Sequence, residues 1–331
     1  MAVRIRLSAD ELSGALAPFG VGPVREAIGL PEGSINTNHR LVTQAGTFLA
    51  RLTELRSEAD LEFEASLLVE LRAGGLPVVA PLRTPGAAAL PFVQLGSGLL
   101  SLFPWVAGEP ERDQLPSASR RMELGRILGR LHRLTRGSEL RRPNPYGPER
   151  VRGWLTELEA TDGRGDPDVA AALPLLRRGL EAGDLSGLSE GVIHGDAFRD
   201  NVLWLGDRIA ALLDFEMAGD APWELDLAVA LLDWAFDAAA PEGQRFAPAG
   251  PLLAGYRTAR APDPPPDPGA LARCLAFAAT RFTLSRLRDF HFSPLPESAL
   301  VRKDWREMRA RLEEALRLDG RTFEATARSP S

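Results

Sequence analysis

The chain has 331 residues, a formal net charge of −6, 44% hydrophobic and 25% charged residues. That is a globular balance with room for about two domains, and an acidic total is a poor fit to nucleic-acid binding. No run of about 18 apolar residues marks a membrane span, no signal-like apolar segment follows Met1, and a lone Cys274 excludes an intrachain disulfide. The expectation is a cytoplasmic enzyme or module without nucleic-acid or membrane partners, its oligomeric state left open.

Ser8-Ala9-Asp10-Glu11 has the form of a capping box and predicts a short helix. From about 34 to 54 the pattern turns to strand, with Leu41, Val42, Phe48 and Leu49 around a Gln44-Ala45-Gly46 turn. Ser57-Glu58-Ala59-Asp60 predicts a second capped helix, with Leu61, Leu67, Leu68 and Leu71 at helical spacing and Gly74-Gly75 as its stop. Short apolar segments near Val78, Phe92 and 99–103 read as strands. After a hinge near 103–108, helical patterns run from about 118 to 318, including one over about 269–290. A strand-rich stretch at 191–215 interrupts them, with loops at 162–166 and the proline-rich 261–268. The fold class expected is α+β and bilobal: a small antiparallel β-sheet lobe over 1–103 and a larger, mainly helical lobe over 104–331.

The chemistry concentrates in Val192-Ile193-His194-Gly195-Asp196-Ala197-Phe198-Arg199-Asp200-Asn201 and the two apolar runs that follow around Gly206-Asp207. Two apolar runs about a Gly-Asp turn predict a hairpin. A hairpin returns the chain, so Asp196 and Asn201 before it and Asp214 after it come together. Phosphoryl transfer needs such a set, because its catalysis is mostly positioning and neutralisation of charge. Asn201 and Asp214 offer oxygens suited to Mg2+. Asp196 is the carboxylate to orient an acceptor hydroxyl and take its proton. Asn201 follows Asp196 by five residues, the spacing of a kinase catalytic loop. Only eleven residues separate Asp214 from Asp226, too few for the segment that organises peptide substrates, so a small-molecule acceptor is expected.

His194-Gly195-Asp196 with Asn201 and then Asp214-Phe215 resembles the aminoglycoside phosphotransferase and choline kinase superfamily. The resemblance implies a protein-kinase-like fold, ATP and Mg2+ as cofactors, and Asp196 as base with Asn201 and Asp214 on the metal. It also implies that Asp226, in Pro222-Trp223-Glu224-Leu225-Asp226, buttresses the catalytic loop; His194 itself reads as orienting that loop rather than moving protons. Glu32-Gly33-Ser34-Ile35-Asn36-Thr37-Asn38, the stretch 191–206, Leu227 to Trp234 and Arg281 to Asp289 are similar to the bacterial homoserine kinase branch. His39, Ala197 and Glu216 depart from that branch's usual residues.

On the nucleotide side, kinases set a cation on the third strand, paired with a helix Glu. The first hundred residues hold no lysine, so Arg51 is the candidate cation and Glu64 its partner. Gly33, Ser34 and Asn36 belong to the loop expected over the phosphates. His132, Trp223 and Trp234 read as core. On the acceptor side, Leu271 to Arg311 holds nine Lys/Arg against four Asp/Glu. A basic helix suits an amino-acid carboxylate better than a polycation. Arg281 or Arg286 is expected on that carboxylate and Asp233 or Asp237 on the amine. A kinase of another amino-alcohol, sugar or aminoglycoside, or a nucleotide-binding module without turnover, are the alternatives.

Overall fold

The computed structural model describes residues 7–30, 36–293 and 303–318. The chain forms two compact units, passing from the first to the second between Ala107 and Gly108.

In the first unit, α1 (Ala9–Leu16) begins with the expected capping box: Glu11 N–H donates to Ser8 Oγ, and Ser8 N–H donates to Glu11 Oε2 at 2.8 Å. Strands β1 (Val24–Leu30), β2 (Thr37–Thr43), β3 (Thr47–Thr53), β4 (Val93–Leu95) and β5 (Gly98–Pro104) form one antiparallel sheet in the order β1-β2-β3-β5-β4. Helix α2 (Glu58–Ala73) connects β3 to the segment before β4, and Ser57 with Asp60 caps it as expected. Leu12 and Leu16 of α1 close the core with Leu41, Ala50, Leu52, Leu100 and Leu102 of the sheet. Burying such leucines contributes about 1.5–3 kcal/mol each.

Two expectations need correction here. The segment near Val78 is not a strand: Pro77 and Pro81 remove backbone donors on either side of it, and Leu82 makes a single bond to the Leu102 carbonyl. Conversely, β1 was not expected, because Val-Arg-Glu-Ala-Ile-Gly-Leu lacks alternation and only Val24 is buried.

In the second unit come β6 (Glu109–Pro110), α3 (Ala118–Thr135), α4 (Pro148–Ala160), α5 (Pro167–Ala182), β7 (Glu190–Ile193), β8 (Val202–Leu205), β9 (Arg208–Leu212), β10 (Gly219–Pro222), α6 (Trp223–Trp234), α7 (Gly250–Arg260), α8 (Pro268–Arg286) and α9 (Trp305–Ala315). The 191–215 interruption is as expected: β8 and β9 make the hairpin, and β7 pairs with β10. Helix α6 is buried all along from Leu225 to Leu232, the mark of a helix enclosed on every side. Helices α3 and α7 approach so closely that a Cβ on Gly125 would lie 2.0 Å from the Leu252 carbonyl oxygen, and one on Gly129 2.8 Å from that of Tyr256. That approach brings His132 of α3 against Tyr256 of α7. Asp267 caps α8, which passes after Arg286 into a wider turn, Leu287–His291.

Candidate active site

β7 delivers the chain into the loop His194-Gly195-Asp196, and one buried carboxylate fixes that loop. Asp226, in the first turn of α6, accepts Gly195 N–H on Oδ1 at 2.7 Å and His194 N–H on Oδ2 at 2.9 Å. His132 Nε2 meets the same Oδ2 at 2.9 Å, and its Nδ1 meets the Tyr256 hydroxyl at 2.8 Å. Burial works to raise the Asp226 carboxyl, but the His132 hydrogen bond, the neighbouring histidines and the His194 N–H more than offset it, leaving it below the usual range. Burial pushes the Tyr256 hydroxyl up, so it stays protonated in its hydrogen bond with His132 Nδ1. His132, expected as core, is fully buried and is also the far strut of this network.

The tautomer of His194 follows from its partners. Nδ1 accepts the Asp196 N–H at 3.1 Å, so Nε2 carries the proton and donates to the Leu213 carbonyl at 2.8 Å. A ring held at both nitrogens orients its loop and is not placed to shuttle protons. Phe215 packs edge-on against it with centroids 4.5 Å apart. Gly195 sits at φ +78°, and a Cβ there would stand 3.0 Å from the Met217 carbonyl oxygen. Arg281, on α8, donates from Nη1 to the Gly195 carbonyl at 2.8 Å and lies between the rings of Tyr146 and Phe282, at 4.9 and 4.4 Å. Burial pulls the Arg281 guanidinium down, and the charge of Asp196 opposes that.

Asn201 joins the two ends of the loop. Its Nδ2 donates to the Asp196 carbonyl at 2.8 Å and to Asp196 Oδ2 at 3.0 Å. Both bonds are made by Nδ2 and neither by the amide oxygen. The Asn201 carbonyl accepts Leu213 N–H at 2.8 Å across the base of the hairpin, and Asp214 follows Leu213 directly. Asp214 is left-handed, at φ 61° and ψ 71°, a conformation that Asp tolerates better than most residues. An amide oxygen and a carboxylate on adjoining strand ends are a donor set for a hard divalent cation, with phosphate and water oxygens completing its shell. Among the described residues no cluster of three or more His, Cys, Asp or Glu side chains could hold a metal by itself.

The nucleotide-side pair forms within the first unit. Arg51, on β3, donates from Nη2 to Glu64 Oε2 at 2.8 Å. Arg56 meets the same oxygen, a partner that sequence reasoning missed. The available signal was a cation immediately before the N-cap Ser57, where the positive end of a helix disfavours one. Asn36 is buried at the entrance to β2. Gly33 and Ser34 lie outside the described residues.

Two of the acceptor-side expectations meet partners inside the protein. Asp233 accepts Arg199 N–H at 2.8 Å and pairs with its guanidinium at 3.0 Å, bracing the loop after Asp196. Arg286 is held by Glu307 at 2.8 Å and by the Asp304 carbonyl at 2.7 Å, anchoring α9. Asp237 accepts Ala239 N–H in a turn. Of that set, Arg281 bonds the catalytic loop at Gly195 and Asp233 bonds it at Arg199. Trp234, as expected, is core; its Nε1–H also donates to the Ala197 carbonyl at 2.9 Å. No helix among the described residues is long and apolar enough to cross a membrane.

Residues 26–266 match the model of the phosphotransferase enzyme family. A homoserine kinase of Methylobacterium nodulans is 33% identical over 304 residues, covering 91% of this chain and 92% of its own. One of Pseudomonas aeruginosa is 36% identical over 291 residues, covering 87% and 88%. In fold, the chain is similar to a spectinomycin phosphotransferase solved with ADP and spectinomycin, with a TM-score of 0.64 at 15% identity over 97% and 99% of the two chains. It is also similar to an amicoumacin kinase solved with AMP-PNP and Ca2+, with a TM-score of 0.63 at 15% identity over 88% and 87%.

Proposed function

The chain belongs to the phosphotransferase enzyme family, and we propose that this ATP-dependent small-molecule kinase phosphorylates the side-chain hydroxyl of L-homoserine, giving O-phosphohomoserine in the cytoplasm. The observation that carries the acceptor is the 33–36% identity to homoserine kinases over about nine-tenths of each chain. The antibiotic kinases match at 15% identity and bear on the fold alone.

In this reading Asp196, whose Oδ2 is bonded by Asn201, is the base: it takes the acceptor hydroxyl's proton as that oxygen attacks the γ-phosphate and ADP leaves. Asn201 Oδ1 and the Asp214 carboxylate hold Mg2+, which when bound neutralises charge on the phosphates. Arg51 contributes a permanent positive charge to the phosphates from β3. Arg281, held on the Gly195 carbonyl next to Asp196, supplies the cation for the acceptor's carboxylate. A polycationic acceptor would be repelled there. The buried network of Asp226, His132 and His194 holds the base in register before substrate arrives.

The test is Mg2+-dependent ADP release coupled to NMR identification of the product, over L-homoserine, L-serine, choline, ethanolamine and kanamycin. L-homoserine is expected to give the highest kcat/KM, and Asp196→Ala to lose roughly 10²–10⁴-fold, as for a general base. Faster turnover of choline or kanamycin would overturn the acceptor assignment; undiminished turnover by Asp196→Ala would overturn the base.

A further inference from the structure

Arg281, Arg286 and Arg288 lie at the end of α8 and in the turn after it, and they are compensated differently. Arg286 pairs with Glu307 at 2.8 Å and Arg288 with Asp289 at 2.6 Å. Arg281 is 2% exposed, and among the described residues no carboxylate bonds it. Its Nη1 donates to the Gly195 carbonyl, and its Nε is buried without an acceptor. Two rings hold the guanidinium instead, Tyr146 at 4.9 Å and Phe282 at 4.4 Å.

Phe282 is the next residue in the chain, but Tyr146 is brought from elsewhere. The loop that carries it is fastened to β10. Asp220 N–H donates to the Arg142 carbonyl at 2.7 Å, and Arg142 N–H donates to Asp220 Oδ2 at 3.1 Å. The backbones approach so closely that a Cβ on Gly219 would lie 3.1 Å from Asn144 Cα. Asn144 then turns the chain, its Oδ1 accepting Tyr146 N–H at 2.9 Å. Trp154 of α4 packs edge-on against the Tyr146 ring, with centroids 5.6 Å apart. Tyr146 is therefore held from behind and at its backbone, and it keeps a partly exposed side chain over a buried cation.

A buried charge is ordinarily paired, and an arginine does not escape the cost by losing its proton. A carboxylate partner would occupy the N–H edge of the fork and compete there with any anionic acceptor. An aromatic ring attracts the cation through its quadrupole and leaves the N–H edge for hydrogen bonds. We propose that Tyr146 is a positioning residue that sets acceptor selectivity: its ring fixes the Arg281 guanidinium beside the Asp196 loop and keeps an N–H edge for the acceptor's carboxylate. The inference deepens the proposed function and rests on the assignment of Arg281 to that carboxylate.

The experiment compares the parent with Y146L and Y146F as full chains. It reads the KM for L-homoserine at saturating ATP, the KM for ATP, and the Ki of 3-amino-1-propanol against L-homoserine. That compound keeps the hydroxyl and the ammonium but lacks the carboxylate, and a Ki needs no turnover. Y146L is expected to raise the KM for L-homoserine about tenfold, in the range of one desolvated cation–π contact. The KM for ATP and the Ki of 3-amino-1-propanol are expected to stay within twofold. Y146F, which keeps the ring, is expected to hold the parental KM within twofold. A rise of that Ki or of the KM for ATP in step with the KM for L-homoserine would show a merely structural role and overturn the proposal. So would a loss in Y146F equal to that in Y146L, because the hydroxyl and not the ring would then carry the effect. A parent that binds 3-amino-1-propanol as tightly as L-homoserine would remove the Arg281 assignment and the inference together. A parent that discriminates, with Y146L discriminating equally well, would overturn this inference alone. Should Y146L not fold, Y146M is read in its place against the same outcomes.

Discussion

Asp226→Asn changes no volume and removes one charge, which isolates what the buried carboxylate does. Three donors converge on Asp226: Gly195 N–H, His194 N–H and His132 Nε2. An Asn can keep two of them on its oxygen, on the side of Oδ2, but its NH2 then faces the Gly195 N–H. One backbone donor is left buried without an acceptor, at about 1–3 kcal/mol, and two charge-assisted bonds become neutral ones, together about 1–3 kcal/mol. The sum, about 2–6 kcal/mol, is a large part of an ordinary stability of about 5–15 kcal/mol. Urea unfolding is therefore expected to show a much lower midpoint at unchanged slope. The unpaired Gly195 is adjacent to Asp196, and a displacement of about 1 Å at a reacting group costs up to about 10²-fold in rate. ADP release at saturating substrates is therefore expected to fall at least tenfold at temperatures where the variant is still folded, with the KM for ATP little changed. A variant within 1 kcal/mol of the parent and with parental kcat would refute the view that Asp226 holds the loop.

The remaining expectations follow from the same geometry. Glu64 and Asp226 both have folded-state pKa values below the usual carboxylate range. Their contribution to stability is full above about pH 4, where the unfolded carboxylates ionise, and is lost as the pH falls through the depressed folded values. Urea midpoints measured from pH 6 downward should therefore fall below about pH 4 in the parent, and fall less steeply in Asp226→Asn, which has lost one of the two groups. Gly195→Ala puts a side chain at φ +78° and against the Met217 carbonyl oxygen at 3.0 Å. It should cost about 1–3 kcal/mol in strain and lower kcat more than it raises either KM, as steady-state kinetics would show.

The parts of the site that could be read from sequence are those whose partners are close along the chain. Asp196 and Asn201 are five residues apart, and Asn201 Nδ2 spans the two directly. The Gly206-Asp207 turn forces β8 and β9 to pair, and that pairing carries Asp214 back to Asn201. Capping boxes at Ser8 and Ser57 are satisfied within three residues. What could not be read depends on tertiary placement. His132 and Tyr256 are brought together by glycine-lined contact of α3 and α7, which no local period announces. Arg281, Arg286 and Asp233 look alike as polar residues on apolar helices. Only the packing of α8 and α6 sends Arg281 to the catalytic loop, Arg286 to Glu307 and Asp233 to Arg199.

The cation inventory ties these observations together. With a single lysine in the chain, Lys303, the nucleotide-side ion pair is built from arginine, and arginine does not behave there as a lysine would. An ammonium is a compact point charge, whereas a guanidinium is a planar fork that can bond a carboxylate along one edge and lie against an aromatic ring with its face. Arg51 does both at once, toward Glu64 and Phe103. A fork held on two sides is well oriented. Arg56 shares the same oxygen. On the catalytic side, Arg281 is held in a comparable way, between two rings and on the Gly195 carbonyl, but there the partner is a neutral dipole. Its charge lies beside the Asp196 loop. The two arginines therefore differ in what holds them: a carboxylate that must be kept paired, or a carbonyl that needs no compensation.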